Sequence, residues 1–201
     1  MKRITFILLS LVAFIATAQT PQEMLDKAVS KLKSSGAVTA RYSVKGSQGN
    51  TAGTITMSGT KYRIVSGDMK CWFDGTTMWT YSKMTDEVNI TTPTAADLQM
   101  ANPYAAVNDF KSNYNMWKAA GQVPGTYAIM LSPKKKSPIS KMYLYIDYKT
   151  YQVRNLHVKM SDGNSYTITL TDYKTGVSTP ASTFTFDKSM VPAGTEVVDL
   201  R

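Results

Sequence analysis

The sequence predicts a mainly β protein with a minor α component: one antiparallel sheet of about eleven short strands in two runs, preceded by one helix and interrupted by a helical insertion. Period-two alternation recurs through most of the chain, as where Val38, Ala40, Tyr42 and Val44 alternate with Thr39, Arg41, Ser43 and Lys45. Turn-forming pairs such as Gly59-Thr60 and Asp74-Gly75 separate these runs at hairpin spacing. Helical signals are confined to two stretches, one opening at Thr20 and one at Thr94.

The chain opens on an address. Lys2 and Arg3 precede an apolar run from Ile4 to Ile15, and Ala16-Thr17-Ala18 makes a small-residue cleavage site before Gln19. Residues 1–18 are therefore expected to leave as a secretory signal peptide, and 19–201 to form a single domain. That apolar run is too short to span a bilayer comfortably, and no Cys follows the cleavage site to carry a lipid.

Thr20-Pro21-Gln22-Glu23 then has the form of a capped helix start, with Thr as N-cap, Pro at the first helical position and Glu closing a capping box. Met24, Leu25, Ala28, Val29 and Leu32 share one face of this helix, and Gly36 stops it. A strand follows through Val44, then a polar turn over 46–53. A hairpin at Gly59-Thr60 pairs Met57 with Tyr62 and Ile55 with Ile64, leaving Thr56, Lys61 and Arg63 outside. A two-residue turn at Asp74-Gly75 pairs Phe73 with Thr76 and Cys71 with Met78. Met69, Cys71, Phe73 and Met78 then face inward, while Lys70, Trp72, Trp79 and Tyr81 face outward to solvent.

Thr94 with Asp97 opens the helical insertion, Asn102-Pro103 breaks it, and Tyr104-Ala105-Ala106-Val107 resumes it. Residues 109–125 read as irregular, with Tyr114 and Trp117 packed. Strands resume at 126–131 and 140–147. A loop centred on Gly163 matches Val158 with Ile168, Leu156 with Leu170 and Arg154 with Asp172, which puts the apolar residues on one face and His157 on the other. Phe184 and Phe186 face inward from a last full strand, before Val197-Val198.

Composition argues against several functions. Without Lys2 and Arg3 the formal charge falls from +9 to +7, but no basic run interleaved with aromatics points to nucleic acid. Lys134-Lys135-Lys136, set between Pro133 and Pro138, reads as a solvated loop tip. The only His has no companion for a metal site, the only Cys points inward as a small hydrophobe, and most carboxylates have turn or cap duties. No catalytic residues, metal ligands or cofactor are expected. The positive signal is apolar: twelve Met and twelve Tyr, in a sheet whose inner face is covered by one good helix and one small-residue-rich segment. Soft, adaptable Met contacts suit variable apolar ligands.

Several segments together resemble the periplasmic outer-membrane lipoprotein carrier family of the LolA type. They are Phe73-Asp74-Gly75-Thr76-Thr77-Met78-Trp79-Thr80-Tyr81, Asn102-Pro103-Tyr104-Ala105-Ala106-Val107, Ile146-Asp147 through Val158, Phe184-Thr185-Phe186 and Pro192 to Asp199. The resemblance implies an incomplete, half-open antiparallel β-barrel closed by the N-terminal helix and a helical lid. It implies a monomeric periplasmic carrier that shelters the acyl chains of lipoproteins between an inner-membrane ABC exporter and an outer-membrane acceptor. The expected cavity wall is Ile55, Met57, Tyr62, Ile64, Met69, Phe73, Met78, Leu156, Val158, Ile168 and Leu170. Leu25, Val29 and Leu32 would face it from the helix, and Tyr104, Ala105 and Val107 from the lid. Where many members have a basic residue and Pro before the strand of Tyr62, this chain has Ser58-Gly59-Thr60-Lys61. Two other readings stand beside this one: a lipid- or lipoprotein-sensing envelope-stress module, and a carbohydrate-binding module using Trp72, Trp79 and Tyr81.

Overall fold

The computed structural model describes residues 19–47, 49–94, 98, 109–120 and 123–201. Its first element, α1 (Pro21–Ser34), starts as its sequence requires: the Glu23 N–H donates to Thr20 Oγ1 at 3.2 Å, and the Thr20 N–H donates to Glu23 Oε2 at 2.9 Å. After it Gly36 takes φ 66°, a left-handed value that favours glycine. Twelve strands follow among the described residues: β1 (Val38–Gly46), β2 (Gly49–Ser58), β3 (Lys61–Ser66), β4 (Met69–Phe73), β5 (Met78–Ser82), β6 (Glu87–Thr91), β7 (Tyr114–Ala119), β8 (Thr126–Pro133), β9 (Ile139–Asp147), β10 (Val153–Met160), β11 (Ser165–Thr175) and β12 (Glu196–Asp199).

All belong to one sheet in the order β12-β6-β5-β4-β3-β2-β1-β11-β10-β9-β8-β7. The sheet does not close, since β12 and β7 are both edges, so the architecture is the expected open half-barrel with twelve strands rather than eleven. Every pairing is antiparallel except β12 with β6. The two runs of strands meet at β1 and β11, where Val44 opposes Ile168 and Tyr42 opposes Leu170. Helix α1 lies on the inner face and reaches both arms: Met24, Leu25 and Ala28 pack with Ile129, Leu131, Met142, Leu144 and Ile146, while Leu32 packs with Met57, Tyr62 and Phe73.

Several sequence expectations change in detail. The stretch over 46–53 is not a broad turn. β1 and β2 pair through Gly46 and Gly49, because ladder hydrogen bonds need no apolar side chains. The region over 109–125 contains β7, in which Tyr114 is buried but Trp117 is 46% exposed. The Asp74 turn spans four residues: Asp74 Oδ1 accepts from the N–H groups of Thr76 and Thr77, so Phe73 opposes Met78 and Trp72 opposes Trp79. The loop after β10 is tighter than expected. Met160 and Asn164 close it, and Leu156 opposes Ile168 while Val158 opposes Tyr166. Arg154 then bonds Asp147 at 3.1 Å, and Asp172 pairs with Arg41 at 3.5 Å. Both register errors are shifts of two residues, which leave every side chain on its expected face.

The outer face of β4–β6 corrects a larger expectation. Trp72 is 0% exposed and Tyr81 6%, because the C-terminal segment folds over them. Phe186, Met190, Val191 and Val197 pack there, with the Phe186 ring 5.5 Å from that of Trp72. Residues 183–187 are not a strand, and Phe186 covers the outside of the sheet rather than its inside. Lys70 Nζ donates to the Met190 carbonyl at 2.8 Å, and Asp86 ties Tyr81 to Thr195. A sugar-stacking surface built on Trp72 and Tyr81 is therefore excluded.

Candidate functional site

Register alone defines the inner surface. One row of opposed residues runs Ile129, Leu144, Leu156, Ile168, Val44 across β8, β9, β10, β11 and β1. Ile129 is fully buried and Leu144 nearly so, whereas Leu156, Ile168 and Val44 are only half-buried. The next row repeats this grading: Leu131 and Met142 are buried, and Val158 and Tyr166 half-buried. The inner face thus has a sealed part, closed by the first turns of α1, and a half-open floor along β10, β11 and β1. Ile55 and Ile64 extend the floor onto β2 and β3, where they are half-buried beside Met57 and Tyr62.

The floor is shaped by tyrosines facing glycines. Tyr42 opposes Gly53, and any Cβ there would collide with the Val65 carbonyl and sit 2.9 Å from the Tyr42 ring. Tyr166 opposes Gly46, where a Cβ would come within 2.5 Å of its ring. Two large rings therefore lie where the backbone presents no side chain, which broadens the surface. Burial pushes the Tyr42 hydroxyl above its usual range, against a hydrogen bond with Ser66. At Asp172 the chain takes φ 52° and the β1–β11 register shifts. The extra residue brings Tyr173 onto the inner side, where its hydroxyl donates to the Val153 carbonyl at 2.5 Å.

The expected wall residues divide accordingly. Met57, Tyr62, Ile64, Ile55, Phe73 and Met78 form one cluster with Leu32 of α1 and Leu98 of the insertion. Leu156, Val158 and Val29 edge the other cluster, whereas Leu25, expected to face the cavity, is buried inside it. Ile168 and Leu170 are half-buried on the floor between them. Met69 does not join: it opens β4 beyond the cluster and is 39% exposed. Tyr104, Ala105 and Val107 lie outside the described residues; of their segment, the Leu98 N–H donates to the Thr94 carbonyl at 3.1 Å. At its far end Phe110 packs edge-on against Tyr114. Tyr42, Val44 and Tyr166 belong to the floor but were not anticipated in it. The alternation of β1 already placed Tyr42 and Val44 together on one face; only the β1–β11 pairing shows that this face continues to Ile168.

Among the described residues the floor brings no acid–base pair together. Cys71 is buried beside it in the cluster of Met57, Tyr62 and Phe73, with Thr80 Oγ1 at 3.8 Å and its thiol pushed by burial to about 11, so it stays protonated. His157 lies on the other side of the sheet, its Nδ1 2.9 Å from Thr167 Oγ1. Among the described residues no group of His, Cys, Asp and Glu is arranged to hold a metal ion. What the described floor residues present is an apolar, half-open surface.

Comparison with known proteins agrees on the architecture. A family model described as outer membrane lipoprotein carrier protein LolA matches residues 11–164. An uncharacterized conserved protein from Thermus thermophilus superposes with a TM-score of 0.62 at 13% identity, over 89% of this chain and 98% of that one. A LolA superfamily protein from Nitrosomonas europaea gives 0.45 at 12% identity, over 84% and 99%. A putative outer membrane lipoprotein-sorting protein domain from Vibrio parahaemolyticus gives 0.43 at 11%, over 81% and 95%. No curated protein matches the sequence.

Proposed function

The chain belongs to the outer membrane lipoprotein carrier protein LolA family, and we propose that it carries the acyl chains of exported lipoproteins on the half-open floor of its sheet. The observation that supports this most is the grading along one row, from fully buried Ile129 to half-buried Leu156, Ile168 and Val44. The chain spends its helix on one end of an apolar surface and leaves the other end to a guest. From β10 to β3 the floor crosses four strand spacings, about 19 Å, enough to lay down a long acyl chain. Each CH₂ removed from water gains about 0.8 kcal/mol when fully buried, so partial burial of one chain supports capture and still permits release. Poorly specific contacts from Met, Leu, Ile and Val fit cargo that differs in its protein part.

In this reading residues 1–18 direct export and are removed, and 19–201 work in the periplasm as a monomeric carrier. Acylated lipoproteins arrive from an inner-membrane ABC exporter and leave to an outer-membrane acceptor. Tyr104, Ala105 and Val107 serve as lid residues in this reading. No step is catalytic.

Native mass spectrometry of the protein purified from its own cell envelope tests the reading. An acylated guest and an N-terminus at Gln19 are expected. Ile168→Glu should abolish the guest while the protein still folds, because the site is half-buried and a charge there keeps access to water. A guest that persists in Ile168→Glu, or a wild-type protein that is always empty, would overturn the assignment.

A further inference from the structure

We propose that the end of the molecule around the last turn of α1 docks an acidic, extended segment of a partner protein. Two hollows flank that turn. One, of about 460 Å³, is lined by Lys31, Lys149, Thr150, Tyr151, Gln152 and Thr175. The other, of about 400 Å³, is lined by Lys33, Gly36, Ser58, Gly59 and Thr60. Both fall within the size range of ligand sites, about 300–1,000 Å³. Their walls set lysine ammonium groups beside a larger apolar surface, which suits an acidic segment whose carboxylates meet the lysines while its side-chain stems lie on the apolar part.

Charge at this end is unbalanced. Lys31, Lys33 and Lys149 enter no ion pair among the described residues, where the four pairs are Arg41–Asp172, Lys111–Asp26, Arg154–Asp147 and Arg201–Asp199. The neighbouring carboxylates are already occupied. Asp147 holds Arg154 and the N–H groups of Lys149 and Thr150, and Asp74 holds those of Thr76 and Thr77. Lys31 and Lys33 also complement the carbonyl end of α1, a structural duty, but Lys149 sits on the β9–β10 turn and has none.

Backbone conformation is the second, independent observation. Tyr151, in the wall of the larger hollow, has φ 57°. That conformation closes the β9–β10 turn, where the Tyr151 N–H donates to the Asp147 carbonyl at 3.0 Å, and it holds Tyr151 in the wall of the hollow. Its ring lies 5.6 Å from Lys27 Nζ, which adds a fourth cation to the rim. Hollows on both sides of one helix end fit side chains projecting from an extended chain better than they fit a flat bilayer. This surface is separate from the acyl floor, and its existence does not depend on what the floor binds.

The test is fluorescence anisotropy of a labelled decaglutamate peptide titrated with the mature protein at low and high salt. Lys31→Glu with Lys149→Glu should weaken binding about tenfold. The same charge change at the solvated β8–β9 turn, Lys134→Glu with Lys135→Glu, should weaken it less than about twofold. Lys149→Glu alone, on a turn, should weaken binding about threefold and serves if the double variant misfolds. Equal losses from the two double variants would mean that only net charge matters and would overturn the proposal, as would absence of binding by the wild type. Capture by phosphatidylglycerol vesicles that depends on Lys31 and Lys149, with decaglutamate indifferent to them, would replace the protein partner by a membrane and also overturn it.

Discussion

Ile129 and Ile168 are the same residue on the same face of the same sheet, aligned in one row, and they have different fates. Ile129, on β8, is 0% exposed within the cluster that Met24, Leu25 and Ala28 of α1 complete. Ile168, on β11, keeps part of its side chain in the open. Alternation decides which face a side chain joins; a covering element decides whether that side chain becomes core or surface. The proposed carrier function would use both outcomes on one sheet: the sealed part for stability, and the half-open part as an apolar surface for reversible occupation.

Substitutions can break that comparison. Ile129→Ala should cost about 2–5 kcal/mol by creating a cavity in a closed cluster, read as a lower midpoint in urea. Acyl capture by the fraction still folded should be unchanged. Thr20→Ala should cost about 1 kcal/mol by removing the N-cap that starts α1, and should loosen the sealed part first. Faster hydrogen exchange at Ile129 and Leu131 than at Ile168 is the expected sign. Ile168→Ala removes half-exposed atoms, so its cost to folding should stay below about 1 kcal/mol, while acyl capture weakens. Equal stability losses from Ile129→Ala and Ile168→Ala would erase the distinction between the two regions.

The smallest effect sharpens the role of the cap. Thr20, through its backbone N–H first and its side chain second, holds the Glu23 carboxyl below the usual range. A depressed carboxyl contributes stability above its unfolded pKa and loses it as pH falls through the folded value. The stability difference between wild type and Thr20→Ala should therefore shrink as pH drops from neutral to about 3. A difference that grows on acidification would show that the reciprocal Thr20–Glu23 contact is not what starts the helix.

Much of the fold was legible because β periodicity has only two outcomes. At Asp74 and at Asp162-Gly163 the observed registers differ from the expected ones by two residues, yet Cys71, Phe73, Met78, Leu156, Val158 and Ile168 all keep their faces. An even slip is invisible to alternation. The turn at Gly59 was read correctly, since Gly59 adopts φ 58° and Met57 opposes Tyr62. Met69 and Trp72 mark where this reasoning stops. Met69 has the correct parity but lies past the end of the packed cluster, and Trp72 has the correct outward parity under a segment more than a hundred residues away in the chain. The floor residues Tyr42, Val44 and Tyr166 escaped for the same reason, because they meet only when β1 pairs with β11.

By itself, then, the sequence determined the helix with its cap, the Gly59 hairpin and the inward or outward sense of most strand residues it identified. Each of these depends on neighbours a few positions away, where backbone geometry permits few alternatives. Only the tertiary structure decided which inward residues are sealed and which outward ones are covered. Those outcomes depend on where α1 and the C-terminal segment come to rest, and packing between distant elements leaves no periodic mark in the chain.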